Sequence, residues 1–123
     1  MAQIPVISDS EWQVMKVLWT KSPLTAMEIV TALSDKHEWH PNTIKTLLSR
    51  LHKKKAVSVE RQKNFYIYRP AVSEADCVKI ESESFLQRVF GGSVKPLIAH
   101  FVEEERLSSE DLDDLKKKLR QKK

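Results

Sequence analysis

Cysteine occurs once, at Cys77, so no disulfide can form within the chain and a reducing compartment is expected. Glycine is almost as scarce. Gly91 and Gly92 are the only two, which excludes a glycine-rich loop cradling a phosphate. No apolar run approaches the roughly 18 residues that cross a bilayer, and Met1 to Ser8 is too short and too broken by Pro5 for a signal peptide. A soluble, cytoplasmic protein without membrane insertion is therefore expected. The four histidines, His37, His40, His52 and His100, lack the spacing that gathers metal ligands, and Cys77 stands far from all of them. No Ser/His/Asp set is suggested. The acidic clusters Glu103-Glu104-Glu105 and Glu110-Asp111-Asp113-Asp114 fall in and around helix starts, where negative charge suits the helix dipole. These absences argue against an enzyme, and no metal, cofactor or catalytic residue is assigned.

What is present is a core, a basic region and helix punctuation. Hydrophobic residues make up 41% of the 123, enough for a modest core. The net charge is +4, and its placement matters more than its size. Residues 1–70 hold eleven Lys and Arg against six Asp and Glu, whereas residues 71–123 hold ten against eleven. Between Lys45 and Arg69 lie Lys45, Arg50, Lys53, Lys54, Lys55, Arg61, Lys63 and Arg69, opposed only by Glu60. Such a block suits an anionic partner, although a solvated helix end would carry it equally well.

Ser8 and Glu11 have the spacing of a capping box, and the helix they open places Trp12, Met15, Leu18 and Trp19 on one face, widened by Val14 and Val17. Thr25 and Glu28 repeat the box before Ala26, Ile29, Val30 and Leu33. A third helix opens at Pro41 with His40 as N-cap; Ile44, Leu47, Leu48 and Leu51 form its apolar stripe. Two β-like runs follow, Val57 to Arg61 and Phe65 to Arg69, joined by Gln62-Lys63-Asn64, where Asn64 suits a positive φ. Helix, helix, helix, hairpin is the order of a winged helix-turn-helix. Trp12, Trp19 and Trp39 are expected in the core or at helix contacts.

The rest reads differently. Ser73 and Asp76 start a helix bearing Val78, Phe85, Leu86, Val89 and Phe90, which Gly91-Gly92 end. Val94, Leu97, Ile98, Phe101 and Val102 form a second stripe. Ser108 and Asp111 cap a last helix whose seam, Leu112, Leu115 and Leu119, is too thin to hold it alone. The expected architecture is thus mainly α: a winged-helix DNA-binding domain over 1–71 and a helical dimerisation domain over 72–123. The dimer contacts are assigned to Phe85, Leu86, Val89, Leu97, Ile98, Phe101, Leu112, Leu115 and Leu119.

The second motif helix of a helix-turn-helix enters the major groove of double-stranded DNA. Asn42, Lys45, Thr46 and Ser49, turned away from the apolar stripe, are hydrogen-bonding types suited to base edges. Arg50, Lys53, Lys54 and Lys55 lie further along and suit phosphates, and Arg61 and Lys63 at the hairpin tip would straddle the neighbouring backbone. Thr25, Pro41 and Thr43, at the starts of the second and third helices, complete the expected DNA-contacting set. A winged-helix module that binds only protein is the alternative, and it has no need of the basic face.

The chain also resembles the BlaI/MecI-type penicillinase (β-lactamase) repressors over nearly its whole length. The resemblance is carried by Ser10-Glu11-Trp12, Val14-Met15 and Leu18-Trp19, by Trp39 and Thr43-Ile44-Lys45-Thr46-Leu47-Leu48, and by Ser49-Arg50-Leu51 with Lys53-Lys54. Phe65-Tyr66, Tyr68, Phe85-Leu86, Leu97-Ile98 and Phe101-Val102-Glu103 continue it. The resemblance implies a homodimeric repressor on dyad-symmetric operators of β-lactam resistance genes, released when a sensor-linked protease cuts the dimerisation arm. In the family's staphylococcal members that cut lies between an Asn and a Phe. The matching bond here is His100–Phe101, which keeps the aromatic side and changes the other. Lys55 stands where many members have a glycine. An orphan repressor of unrelated genes remains the alternative within the family, and no cysteine cluster follows Cys77 to suggest its copper-sensing branch.

Overall fold

The computed structural model of the chain describes residues 4–122. The first three residues of the N-terminal stretch considered above, and Lys123, lie outside the described residues. The chain divides into two compact units, Met1–Ile80 and Glu81–Lys123.

In the first unit the expected helix starts are realised. Helix α1 (Asp9–Thr20) opens with Ser8, whose Oγ accepts from the Glu11 amide at 3.3 Å while the Ser8 amide donates to Glu11 Oε1 at 2.9 Å. Helix α2 (Ala26–Ser34) has the same reciprocal box between Thr25 and Glu28. Each box satisfies two amides that a helix start would otherwise leave open. Helix α3 (Pro41–Lys53) begins on a proline, and His40 Nδ1 accepts from the Asn42 amide at 3.0 Å. Ile44, Leu47, Leu48 and Leu51 are buried against Val14, Met15 and Leu18 of α1 and Ile29 and Leu33 of α2 in one core cluster. Trp12 and Trp19 pack edge to face at 5.5 Å on its margin, and Trp39 stacks on His37 at 4.4 Å.

The sheet is larger than the sequence suggested. Strands β2 (Val57–Arg61) and β3 (Tyr66–Pro70) form the expected hairpin, but β3 also pairs with a two-residue strand, β1 (Leu24–Thr25), giving the antiparallel order β1-β3-β2. A two-residue strand has no periodicity to read. In the hairpin turn the Gln62 amide donates to the Phe65 carbonyl at 2.7 Å. Asn64 does not use the positive φ considered for it; among the described non-glycine residues only Lys55 and Glu105 have one.

Lys55 takes φ 65° because α3 ends in a Schellman motif. The Ala56 amide donates to the Leu51 carbonyl at 2.9 Å and the Lys55 amide to that of His52 at 3.0 Å. A side chain in this left-handed region costs about 1–2 kcal/mol, against a smaller entropic cost for glycine. Lys55→Gly is therefore expected to stabilise the unit by roughly 0.5–1 kcal/mol, read as a higher urea midpoint. A lowered midpoint would count against this account of the helix end.

Helix α4 (Glu74–Phe90) starts where Ser73 Oγ accepts from the Asp76 amide at 3.1 Å. Its first turns belong to the winged-helix unit. Trp19 Nε1 donates to the Val72 carbonyl at 3.0 Å, Lys16 pairs with Glu74 at 2.6 Å, and Cys77 is buried in the core cluster. These contacts explain why the compact unit runs to Ile80, nine residues past the boundary drawn at 71 from the sequence. Burial pushes the Cys77 thiol up, with Asp76 adding to the effect, so this cysteine is an inert core residue.

In the second unit, after the rest of α4, come α5 (Val94–Glu103) and α6 (Ser109–Gln121). Gly91 and Gly92, both at positive φ, separate α4 from α5. Ser108 and Asp111 make a third complete capping box. Neither α5 nor α6 has a buried residue. Among the described residues no helix is long and apolar enough to cross a membrane.

Candidate nucleic-acid interface

Burying one side of α3 fixes what the other side presents. Pro41, Asn42, Thr43, Lys45, Thr46, Ser49, Arg50 and Lys53 are all exposed, while the stripe between them is buried. The spacing 42, 45, 46, 49, 53 follows one side of a 3.6-residue helix, so these groups share a face. Thr46 Oγ1 donates to the Asn42 carbonyl at 2.9 Å. Its hydroxyl proton is thereby engaged, leaving its methyl and lone pairs outward. On the hairpin, Arg61 and Lys63 are exposed. Glu60, the one acid of the basic block, bonds Arg69 at 2.8 Å and Gln62 at 2.9 Å.

Two expected members sit differently. Thr25 is half-buried, and its Oγ serves as the cap acceptor for Glu28. Lys54 does not lie on the exposed face at all. Its ammonium donates to the Val6 carbonyl at 2.8 Å and to Glu11 Oε1 at 2.5 Å. Glu11, only 1% exposed, is the single buried charged residue among those described. Burial works against its charged form, but hydrogen bonds from Lys54 and Ser8 outweigh that and hold the carboxyl below its ordinary range. In the sequence Glu11 stands out as the capping partner of Ser8 and within the run Ser10-Glu11-Trp12, and not as a partner of Lys54. A signal for the pair was nevertheless present: Lys54 falls three residues after Leu51 and seven after Leu47, on the apolar stripe.

An open groove of 880 Å³ lies between α1 and α2, bordered by Trp12, Val17, Met27 and Thr31; α3 contributes nothing to it, so it is separate from the basic face. No cluster of three or more potential metal ligands occurs among the described residues.

In the second unit, Leu86, Leu97 and Leu112 are half-buried, while Phe85, Val89, Ile98, Phe101, Leu115 and Leu119 are exposed. Leu119 reaches 71%. His100 and Phe101 are adjacent on α5, both exposed, with their rings edge to face at 5.3 Å.

Three helices, a β wing and a basic outer face on the third helix define a winged helix-turn-helix of the DNA-binding class. The comparisons with known proteins narrow this. The family model described as penicillinase repressor matches residues 7–121, and the chain belongs to that family, one of transcriptional regulators and not of enzymes. It is 37% identical over 115 residues to a penicillinase repressor of Bacillus licheniformis, covering 94% of this chain and 90% of that one. To the methicillin resistance regulatory protein MecI of Staphylococcus aureus (strain N315) it is 33% identical over 116 residues, covering 94% of each. Among solved structures, it is similar to the DNA-binding domain of the repressor BlaI, with a TM-score of 0.56 and 41% identity over 62% of this chain and 93% of that one. The monomeric form of Bacillus licheniformis BlaI in complex with the blaP half-operator matches at a TM-score of 0.54, with the same identity and coverage.

Proposed function

We propose that the chain is a cytoplasmic, homodimeric transcriptional repressor that binds dyad-symmetric operator DNA ahead of β-lactam resistance genes. The observation that carries this reading is the outer face of α3, polar and basic along its length and backed by a fully buried stripe. Asn42, Lys45, Thr46 and Ser49 are assigned to base edges in the major groove. Arg50, Lys53, Arg61 and Lys63 are assigned to phosphates, and Thr25, Pro41 and Thr43 to backbone contacts around the starts of α2 and α3. Family membership supports the reading, as does the solved complex of a 41% identical relative with a half-operator.

The units fit a division of labour between a winged-helix domain and a dimerisation arm. Phe85, Leu86, Val89, Leu97, Ile98, Phe101, Leu112, Leu115 and Leu119 are assigned to contacts with a second copy; six of the nine are exposed, and exposed apolar side chains in such number suit an interface. The inactivating cut is assigned to His100–Phe101, made by a protease linked to a β-lactam sensor. That bond lies within α5, and the Glu104 amide donates to the His100 carbonyl at 3.0 Å. Cleavage therefore requires α5 to unwind locally.

The reading is tested with a duplex selected by the full chain from random sequence. Asn42→Ala and Lys45→Ala are each expected to reduce discrimination against substituted bases by about 1–3 kcal/mol. Fluorescence anisotropy on matched and substituted duplexes measures this. Unchanged discrimination in both variants would remove α3 from base reading. An absence of duplex binding even at low salt would leave a protein-interaction module instead.

A further inference from the structure

The end of α3 is tied to the start of α1 through one buried carboxylate oxygen, and we infer that Lys54 is a positioning residue. It holds the recognition helix in register for base reading and does not contact phosphate. This rests on the reading of α3 given above.

Glu11 Oε1 accepts from the Ser8 amide at 2.9 Å and from Lys54 Nζ at 2.5 Å. The same ammonium donates to the Val6 carbonyl at 2.8 Å, so two of its three donors are satisfied inside the protein. Lys54 is also the C-cap of α3, with its amide donating to the Arg50 carbonyl at 3.0 Å. Charge, side chain and helix end are thus fixed at one point. Of the described cations, Lys54 alone lies within ion-pair distance of Glu11. Turning Lys54 toward DNA would leave a carboxylate buried without its counter-charge, and that loss outweighs one solvated phosphate contact. Lys53, one residue earlier and exposed, is free to make such a contact. The energetic asymmetry sorts two adjacent lysines into different tasks.

The pair sits one turn beyond the base-reading residues. A change in the tilt of α3 relative to α1 moves Asn42, Lys45, Thr46 and Ser49 together, so its effect falls on discrimination. A phosphate contact acts oppositely, weakening all sequences alike and lowering the salt slope by about one.

The test uses the full chain, the selected duplex and a scrambled duplex, titrated across salt below the melting temperature of every variant. Lys53→Ala serves as the phosphate reference, with a slope reduced by about one. Lys54→Met, which keeps an unbranched apolar stem, is expected to keep the wild-type slope and lose roughly tenfold in the ratio of selected to scrambled affinity, the size of a single lost base contact. Glu11→Gln, whose side chain is buried away from any ligand, should give the same loss, and the double variant should be no worse than either single one. A slope reduced by one in Lys54→Met, with the ratio retained, overturns the proposal. So does a Glu11→Gln protein with an unchanged ratio. A mere loss of folded protein lowers both affinities equally and leaves the ratio intact, and that result too is contrary. Wild-type protein that binds neither duplex refutes the DNA-binding reading itself, a failure visible before any variant is made.

Discussion

A chain ending at His100, or a full chain carrying Ile98→Asp and Leu115→Asp, should sediment as a monomer and lose about 10²–10⁴-fold in affinity for a two-half-site operator. The size follows from linkage. Once one winged-helix unit of a dimer is bound, its partner meets the second half-site at a high effective concentration, and severing the link removes that gain without touching any DNA contact. On the proposed reading the arm is the weak point of the dimer. Neither α5 nor α6 has a buried residue, and Ile98, Phe101, Leu115 and Leu119 are exposed. Helix α6 has a capping box at its start but a thin apolar seam along its length, and a helix of 13 residues with so little to bury depends on a partner for stability. A charge placed in that seam must be desolvated for the dimer to form. Affinity for a single half-site should remain close to wild type. A truncated chain that stays dimeric and binds the full operator with unchanged affinity would contradict the assignment of the arm.

Leu51→Ala should destabilise the winged-helix unit by about 3 kcal/mol, within the 2–5 kcal/mol that buried Leu-to-Ala changes cost. Leu51 is fully buried on α3, in one cluster with core residues of α1 and α2, and its carbonyl receives the Schellman bond from Ala56. The backbone on both sides is therefore held, and the cavity cannot collapse easily. At roughly 4–8 °C per kcal/mol for a unit of this size, the thermal midpoint should fall by about 12–24 °C. Lys53→Ala, on the outer face of the same turn, should change stability by no more than about 0.5 kcal/mol. Circular dichroism melts of the three proteins measure this, and a Leu51→Ala midpoint within a few degrees of wild type would refute the packing described for α3.

Most of the winged-helix unit was legible because its signals are local. Two capping boxes, Pro41 at a helix start and the stripe of Ile44, Leu47, Leu48 and Leu51 each need only a few neighbouring residues to be recognised. The features without a local signal depend on residues far apart. Strand β1 exists because Leu24 and Thr25 meet Tyr68 and Ile67. The pairing of Lys54 with Glu11 crosses 43 positions. The limit of the first unit lies inside α4 because Trp19, Lys16 and the core reach residues 72–77. Lys55 shows the converse. Its departure from glycine was visible in the sequence, yet the backbone keeps the left-handed helix end that glycine favours. On the α3 face, helix period and one buried stripe sufficed to orient every expected residue except Lys54. For the arm, periodicity identifies the apolar stripes of α4, α5 and α6, because each repeats within its own helix.

The central claim is that α3 reads base edges in the major groove, in pairs. Methylation interference on the selected duplex tests it most directly, since guanine N7 lies in that groove. The account predicts two clusters of interfering guanines, related by a dyad and separated by about 10 base pairs or a multiple of it. Binding that is indifferent to N7 methylation, or that is blocked at one isolated cluster by a dimeric protein, would contradict it.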